Sequence, residues 1–298
     1  MIRRRTINNF FHTQGDDLNN LTRVWYLNFN NFSYKLDIQE NALNLDEASR
    51  RLKGGVYTTF RTYQHDKALC LQEHFDRLEN SVKLQGRELV LPRSVLRDAL
   101  RELISQFPGI DVRLRIHCSL LPSTHQIYLM AEPFSPYPPA FYENGVKALT
   151  LEMQRKNPVS KATDFIDLTH EIRRKKPSDV NEYLMIGSDQ TLLEGMSSNI
   201  FVTVDRTIWT AERGILPGIT RQMVLKVIAG LDLKIIFNGY PVKELHNIDE
   251  LFITSASRCV MPVSVIDNLP VGNGFPGPIT QQIRSEFEKM LLSELETI

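Results

Sequence analysis

The feature that most constrains the fold of this chain is a proline-rich stretch near its middle. The segment PFSPYPPAFYENG, between Glu132 and Gly145, contains four prolines. Proline has no amide donor and a fixed φ, so no regular helix or strand is expected there. A chain of 298 residues with 42% hydrophobic content can build two modest cores. We therefore predict an N-terminal domain at 1–133, a linker at 134–140 and a C-terminal domain at 141–298.

Both halves mix strand and helix patterns. Before the junction, the sequence predicts a hairpin from Gly55, a helix that stops at Gly86, a helix at about 92–107 and the strands VRLRIHCS and QIYLMAE. After it come the strand GVKALTLEMQRKNP, the helices KATDFIDLTHEIRRKK and GITRQMVLKVIAG, several strands between them and the strand region ELFITSASRCVMPVSVID. The residues after Gly277 are predicted to be helical to the last one. The mixture predicts an α+β protein.

Charge and cysteine usage limit the function classes. Lys+Arg and Asp+Glu both number 35, so no overall field draws the protein to nucleic acid or to an anionic membrane. The three cysteines form no CxxC pair, and no stretch of about 18 apolar residues occurs. We expect no disulfide framework, no metal site and no membrane partner, and a cytoplasmic location. The basic start MIRRR is interpreted as a solvated tail.

Three stretches carry side chains suited to cofactor chemistry: RKNPVSKATDF, LLEGMSSNIFV and ILPGITRQMV. The first contains Lys161 and the second contains Glu194, 33 positions later. In the third, Gly218-Ile219-Thr220 stands at the start of a predicted helix, where free amides and the helix dipole favour an anion. Taken singly, each has an ordinary alternative: an exposed lysine, a glutamate in a turn, and a threonine N-cap.

In their order and spacing, these stretches resemble the fold-type IV family of pyridoxal-5′-phosphate (PLP) enzymes. That family includes branched-chain aminotransferases, D-amino acid aminotransferases and aminodeoxychorismate lyase. The resemblance extends from about Gly54 to Thr280. It implies a two-domain α+β fold with a small α/β N-terminal domain and a larger C-terminal domain, in which a pseudo-barrel of strands is flanked by helices.

The resemblance implies a role for each motif residue. Lys161 would hold PLP as a Schiff base and move the substrate Cα proton. Glu194 would keep the ring nitrogen protonated. The other residues expected to contact the cofactor are Ser198, Asn199, Ile219, Thr220, Arg77 in EHFDRLENS, and Ser255-Ala256 in FITSASRCV.

Two residues are expected on the substrate side. Tyr57 in GGVYTTF matches an active-site tyrosine of several family members, although a strand tyrosine can equally serve as core packing. VRLRIH alternates, so Arg113, Arg115 and His117 share a face that is either solvent or a carboxylate-binding wall. The D-amino acid branch has an arginine where this chain has Cys118, and Arg115 is the expected substitute.

These features predict a transaminase that moves an amino group between an amino acid and a 2-oxo acid by a ping-pong mechanism. The resemblance also implies a homodimer. One alternative is a lyase of the aminodeoxychorismate type that releases pyruvate, and another is a non-catalytic relative that retains the fold. GNGFPG at 272–277 satisfies the dinucleotide pattern G-x-G-x-x-G, but no second strand follows it, so it is interpreted as a loop.

Overall fold

The computed structural model describes residues 22–27, 36–38, 42, 44–52, 54–121 and 127–298. The predicted solvated tail at the N-terminus lies outside these residues.

The N-terminal half contains six strands and three α-helices among the described residues. They are β1 (Arg23–Leu27), β2 (Leu36–Ile38), α1 (Leu45–Arg51), β3 (Gly55–Tyr63), β4 (Lys67–Leu69), α2 (Leu71–Leu84), α3 (Arg93–Ile104), β5 (Val112–Ser119) and β6 (Ile127–Pro133).

The C-terminal half begins with a short helix and ends with a strand. Its elements are α4 (Pro139–Asn144), β7 (Val146–Glu152), α5 (Asp164–Arg174), β8 (Val180–Ile186), β9 (Thr191–Gly195), β10 (Ser198–Val204), β11 (Thr207–Trp209), α6 (Ile219–Gly230), β12 (Ile235–Ile236), β13 (Tyr240–Pro241), a 3-10 helix (Val242–Asn247), β14 (Glu250–Ser255), β15 (Cys259–Ile266), β16 (Leu269–Pro270), α7 (Pro278–Ser293) and β17 (Leu295–Thr297).

An antiparallel sheet of order β17-β4-β3-β5-β6-β1-β2 forms the first layer. The helices α2 and α3 bury their apolar residues in one core with this sheet, which includes Phe60, Phe75, Leu100 and Leu114. Both helices repeat apolar residues three and four positions apart, so each has one continuous apolar face.

The second sheet has the order β12-β11-β10-β14-β15-β7-β8-β9-β13, and β9 also pairs with β10. This extra pairing closes β10, β14, β15, β7, β8 and β9 into a barrel, which confirms the predicted pseudo-barrel. On its outside, α6 and α7 share a core with the stacked rings of Phe201 and Phe252, whose centroids are 4.9 Å apart. The predicted α+β class is therefore confirmed.

Two local predictions were wrong. The proline-rich stretch contains α4, because a proline at the first helical position lacks only an amide that the helix would leave free. The residues after Gly277 are not helical to the end, since β17 follows α7 and pairs with β4 in the first sheet. GNGFPG is a loop, as predicted.

No helix in the described part of the chain is long and apolar enough to cross a bilayer.

Candidate active site

A cavity of about 240 Å³ lies where the two sheets face each other. All eleven residues that the sequence nominated for the site line it. They are Tyr57, Arg77, Arg115, Lys161, Glu194, Ser198, Asn199, Ile219, Thr220, Ser255 and Ala256. They come from five strands, two helices and the segments between such elements, so folding alone brings them together.

Lys161 lies in the segment between β7 and α5, and β3 fixes this segment by backbone hydrogen bonds. The amide of Tyr57 donates to the carbonyl of Lys161 at 2.9 Å, and the amide of Thr163 donates to the carbonyl of Gly55 at 2.9 Å. The segment therefore acts as a short extra strand on β3. This places the Lys161 Nζ 5.0 Å from the centre of the Tyr57 ring.

The environment of the Lys161 amine favours its neutral form. Burial lowers the pKa of Lys161 well below its ordinary value of 10.5, and the nearby cations Arg77, Arg155 and Arg115 lower it further. Glu194 acts in the opposite direction but does not reverse the shift. The lowered pKa favours the neutral, nucleophilic form of this amine.

Glu194 lies near the end of β9, and three donors converge on its carboxylate. The Arg155 Nε donates to Oε1 at 2.7 Å, and the Leu216 amide and Asn199 Nδ2 donate to Oε2 at 3.0 and 3.3 Å. Burial raises the pKa of Glu194, while Arg155 and the Leu216 amide oppose that rise. The result is a buried carboxylate in a fixed orientation, of the kind that can face a protonated ring nitrogen.

Gly218 and α6 form one end of the cavity. Gly218 occupies the N-cap position without a side-chain cap, so the amides of Ile219 and Thr220 in the first turn have no partner within the helix. A Cβ at Gly218 would lie 2.2 Å from the Asn199 Oδ1, so glycine is the residue that fits. The turn Ser255-Ala256 between β14 and β15 lines the same end. Thr220 is therefore not the ordinary N-cap considered above.

Arg77 completes this end of the cavity as a buried cation. Its Nη2 donates to the Thr58 Oγ1 at 2.7 Å, whereas its buried Nε has no hydrogen-bond partner. Within the described ranges, no carboxylate pairs with it. Burial lowers its pKa to about 10. A buried guanidinium without a counter-charge is costly, so this end of the cavity is suited to an anion.

His74 precedes Arg77 by one turn of α2, and its tautomer follows from its neighbours. Its Nδ1 lies 2.8 Å from the Thr58 Oγ1 and 3.4 Å from the Arg77 Nη2. Arginine only donates, and the Thr58 oxygen already accepts from Arg77, so this geometry favours an unprotonated Nδ1. Burial lowers the pKa of His74 well below 6.5, as do Arg77 and Lys161. The neutral ring therefore carries its proton on Nε2.

Helix α1 holds another lining residue, Arg115. Arg115 donates to the Leu45 carbonyl, Ser49 and Asp46 at 2.7 to 2.9 Å, and its Nε donates to Thr59 at 3.0 Å. Its guanidinium also lies 4.5 Å from the Tyr57 ring centre. Four of the five N–H groups of Arg115 are thus used within the protein, which leaves one for a substrate.

Asp46 joins Arg115 to a further arginine that lines the cavity. Its carboxylate lies 2.8 Å from Arg115 and 2.9 Å from Arg173. Burial alone would raise the pKa of Asp46, but the two guanidinium groups outweigh it and lower the pKa to about 2. Asp46 is therefore an anion at neutral pH.

Several lining residues were not nominated from the sequence. Arg155 lies inside the motif RKNPVSKATDF, but its role becomes visible only from its ion pair with Glu194. Nothing in the local sequence indicates that Asp46 or His74 lines the cavity. Arg173 lies in the last turn of α5, where a basic side chain is common because it interacts favourably with the helix dipole. Among the described residues that line the cavity, six arginines and two carboxylates accompany Lys161. The arginines are Arg77, Arg113, Arg115, Arg155, Arg173 and Arg258, and the carboxylates are those of Asp46 and Glu194.

The residues present fit PLP. The cofactor has an aldehyde, a basic ring nitrogen and a phosphate. The cavity offers a matching group for each: an amine with a lowered pKa for the aldehyde, a buried carboxylate for the ring nitrogen, and unpaired donors for the phosphate. Besides the Arg77 Nε, the Arg155 Nη1 and the Arg258 Nε are also buried without a hydrogen-bond partner, so these three donors of lining arginines are left for a polar ligand. The fold and this cavity therefore define a PLP enzyme.

Comparisons with known proteins support the same class of enzyme. The sequence matches the family described as amino-transferase class IV over residues 55–266. It is 29% identical over 273 residues to a D-alanine aminotransferase of Bacillus licheniformis, and the alignment covers 87% of this chain and 95% of that protein. A solved structure from Thermotoga maritima, described as a branched-chain amino acid aminotransferase, superposes with a TM-score of 0.74 at 25% identity and covers 91% of this chain and 96% of that one.

A second solved structure is a branched-chain amino acid aminotransferase from T.th., complexed with N-(5′-phosphopyridoxyl)-L-glutamate. It has a TM-score of 0.76 at 19% identity, and the superposition covers 92% of this chain and 98% of that one. The chain belongs to the class IV aminotransferases. It is accordingly a PLP-dependent enzyme of transamination.

Proposed function

We propose that the chain binds PLP on Lys161 and transfers an amino group from an α-amino acid to a 2-oxo acid in two half-reactions. One observation supports this most strongly. A single cavity is lined by a lysine amine with a lowered pKa, a buried carboxylate and a buried arginine that has no counter-charge among the described residues.

In this proposal, different lining residues bind the phosphate and the ring nitrogen of PLP. Ile219, Thr220, Ser255 and Ala256 bind the phosphate together with Arg77, which supplies the formal charge. Glu194 receives the ring nitrogen, with Asn199 and Arg155 holding the carboxylate in place. When bound, PLP supplies a ring that accepts electrons from the substrate Cα.

Lys161 also moves the proton. When its amine is free, burial and the cations around it favour the neutral form, which would accept the proton from the substrate Cα. Tyr57 lies beside Lys161 and can direct the amine by contact with its ring. Ser198 donates to Glu182 at 3.1 Å and so secures the turn between β9 and β10 that presents Glu194 and Asn199.

The charge of the cavity supports an anionic ligand. Six arginines face two carboxylates among the lining residues, and we count Lys161 as neutral because its pKa is lowered by burial and by the nearby cations. Glu132 and Glu182 neutralise Arg113 and Arg258 from just outside, so two positive charges remain. A phosphate dianion, a protonated ring nitrogen and one substrate carboxylate together balance those two charges.

The substrate carboxylate has a proposed contact. It is the free N–H group of Arg115. The relatives of this chain carry the names D-alanine and branched-chain amino acid aminotransferase, so both kinds of amino acid are candidate donors.

The attachment site is tested by borohydride reduction of the purified protein followed by peptide mapping. Labelling of Lys161 is expected, with an absorbance band that disappears on addition of the correct amino acid. Lys161→Ala should abolish both. Lys156→Ala is the matched control, because Lys156 is an exposed lysine in the same segment and does not line the cavity. Reduction onto another lysine in the Lys161→Ala protein would refute the proposal.

The same preparation separates transamination from the lyase reaction. D- and L-enantiomers of alanine and of branched-chain amino acids are offered with and without 2-oxoglutarate. Without the acceptor, transamination stops after one equivalent of 2-oxo acid per active site, and from alanine that product is itself pyruvate. Aminodeoxychorismate is therefore offered as well, and its conversion to pyruvate over many turnovers without a 2-oxo acid would indicate the lyase. The relatives reported above are aminotransferases by name, which favours the first outcome.

Assembly and location complete the proposal. We infer a homodimer from family membership and expect light scattering after size exclusion to give twice the chain mass. The exposed apolar Val159, two residues before Lys161, is a candidate interface residue. A cytoplasmic location is consistent with three free cysteines, Cys70, Cys118 and Cys259.

A further inference from the structure

The last residues of the chain belong to the first sheet rather than to the barrel. β17 pairs antiparallel with β4, with Glu296 opposite Ala68. The Ile298 amide donates to the Asp66 carbonyl at 2.9 Å, and the Ile298 side chain is fully buried in the core beneath that sheet. The segment 295–298 thus returns across the molecule to the strand that leads directly into α2.

Glu296 supplies the cap that α2 lacks. The N-cap residue Cys70 is in the left-handed region, with φ of 50°, and offers no side-chain hydrogen bond. Instead, the Glu296 Oε1 accepts from the amides of Leu71 and Gln72 at 2.6 and 3.2 Å. A carboxylate at this position satisfies free amides and interacts favourably with the positive end of the helix dipole.

Arg97 on α3 holds the capping group. It donates to the Glu296 Oε2 at 2.5 Å and to the Thr297 carbonyl at 2.7 Å. Arg101, one turn later, donates to the Ile298 carbonyl at 2.7 Å. Two arginines of one helix therefore fix the strand that caps another.

The capped turn leads to the phosphate end of the active site. His74 lies in that turn, and its amide donates to the Cys70 carbonyl at 3.2 Å. Its ring contacts Thr58, to which the Arg77 guanidinium donates. A shift of the first turn of α2 would therefore reach Arg77 through His74 and Thr58.

We propose that Glu296 is a positioning residue for the cofactor phosphate: it caps α2 from the far end of the chain and thereby sets the guanidinium of Arg77. The proposal rests on the proposed binding of phosphate by Arg77. Glu296 does not line the cavity, so any effect on the cofactor has to be transmitted through the residues that it holds, first of all the start of α2.

The test compares PLP with pyridoxal, which has the same ring and aldehyde but no phosphate. Dissociation constants of both are measured for the full-length apoprotein and for Glu296→Ala. We expect the dissociation constant of PLP to rise by up to about fivefold, the factor reached if the whole stabilising effect of one helix cap is transmitted to the phosphate contact, with little change for pyridoxal. Glu296→Gln, which keeps one acceptor oxygen, should restore part of the loss. Glu288→Gln, an exposed carboxylate on α7 paired with Arg284, is the control and should change neither constant.

The outcomes separate this inference from the function. Equal loss for PLP and pyridoxal, or no loss of PLP affinity, would overturn the positioning role. If Glu296→Ala does not fold, Arg97→Gln removes the clamp while leaving the carboxylate, and the same selective loss is expected. Arg77→Gln is the reference. If it leaves PLP affinity unchanged, the proposed phosphate contact is wrong; if it lowers PLP affinity while the Glu296 and Arg97 variants do not, only the positioning role is wrong.

Discussion

Replacement of Glu194 by glutamine tests the electrostatic centre of the active site. The carboxylate accepts from Arg155 on one oxygen and from Leu216 and Asn199 on the other. Glutamine keeps only one acceptor oxygen, so one side must face its NH₂ group. Either the Arg155 guanidinium or the Leu216 amide then loses its partner while buried.

The magnitude follows from this burial. The side chains of Arg155 and Glu194 are 6% and 2% exposed, and breaking so buried an ion pair costs about 3–5 kcal/mol of unfolding free energy. At about 2 °C per kcal/mol for a chain of this size, the melting temperature should fall by roughly 6–10 °C. Loss of the ring-nitrogen partner should lower kcat by roughly 10²–10³, as for removal of one preorganised electrostatic contact.

Glu250→Gln provides the control. Glu250 is 6% exposed, and its two carboxylate oxygens accept from the amides of Ile279 and Thr280 at 3.0 and 2.6 Å, so glutamine also leaves a buried donor without a partner there, but Glu250 neither lines the cavity nor contacts a residue of the active site. Thermal unfolding should show a comparable loss of stability in both variants, whereas steady-state kinetics with saturating PLP should show the large loss of kcat only for Glu194→Gln. Equal losses of kcat in the two variants would refute the assignment of Glu194 to the ring nitrogen.

Two further predictions follow from the same geometry. The rate at which the apoprotein takes up PLP depends on the neutral form of Lys161, whose pKa in the folded protein is lowered, so the rate should reach half of its maximum well below pH 10.5 and fall as the pH drops through that lowered pKa. Stopped-flow absorbance that gave half-maximal uptake near the ordinary lysine value of 10.5 would contradict the burial argument. Gly218→Ala should lower the unfolding free energy measured by chemical denaturation by about 1–3 kcal/mol and weaken PLP binding, because its Cβ would collide with Asn199. Gly230→Ala is the control: a Cβ at this end of α6 meets nothing within 4 Å, so the change should be neutral or stabilising. Similar effects of both variants would rule out the collision with Asn199 as the cause.

Local sequence patterns were sufficient to predict most of the secondary-structure elements and the main motif residues of the site. The alternation of VRLRIHCS predicts β5 with its observed bounds, and the apolar spacing after Leu71 predicts α2. Lys161, Glu194 and Thr220 stand in stretches whose order and spacing resemble one family, so their convergence in one cavity could be expected. These inferences depend only on neighbours in the chain, which a sequence displays directly.

Other features depend on contacts between distant residues. Arg155 was visible in its motif, but its importance appears only when β9 brings Glu194 to within 2.7 Å. Asp46 gains significance from Arg115 and Arg173, which follow it by 69 and 127 positions. No local pattern records such pairs.

The sequence alone determined the class of fold, the alternation of strands and helices, and the amine, carboxylate and helix entrance needed for PLP. Tertiary structure decided which charges compensate one another, and it placed β17 beside β4 where a continued helix was predicted. The reason is physical: hydrophobic period and turn residues act over a few positions, whereas burial and ion pairing depend on the packing of segments far apart in the chain.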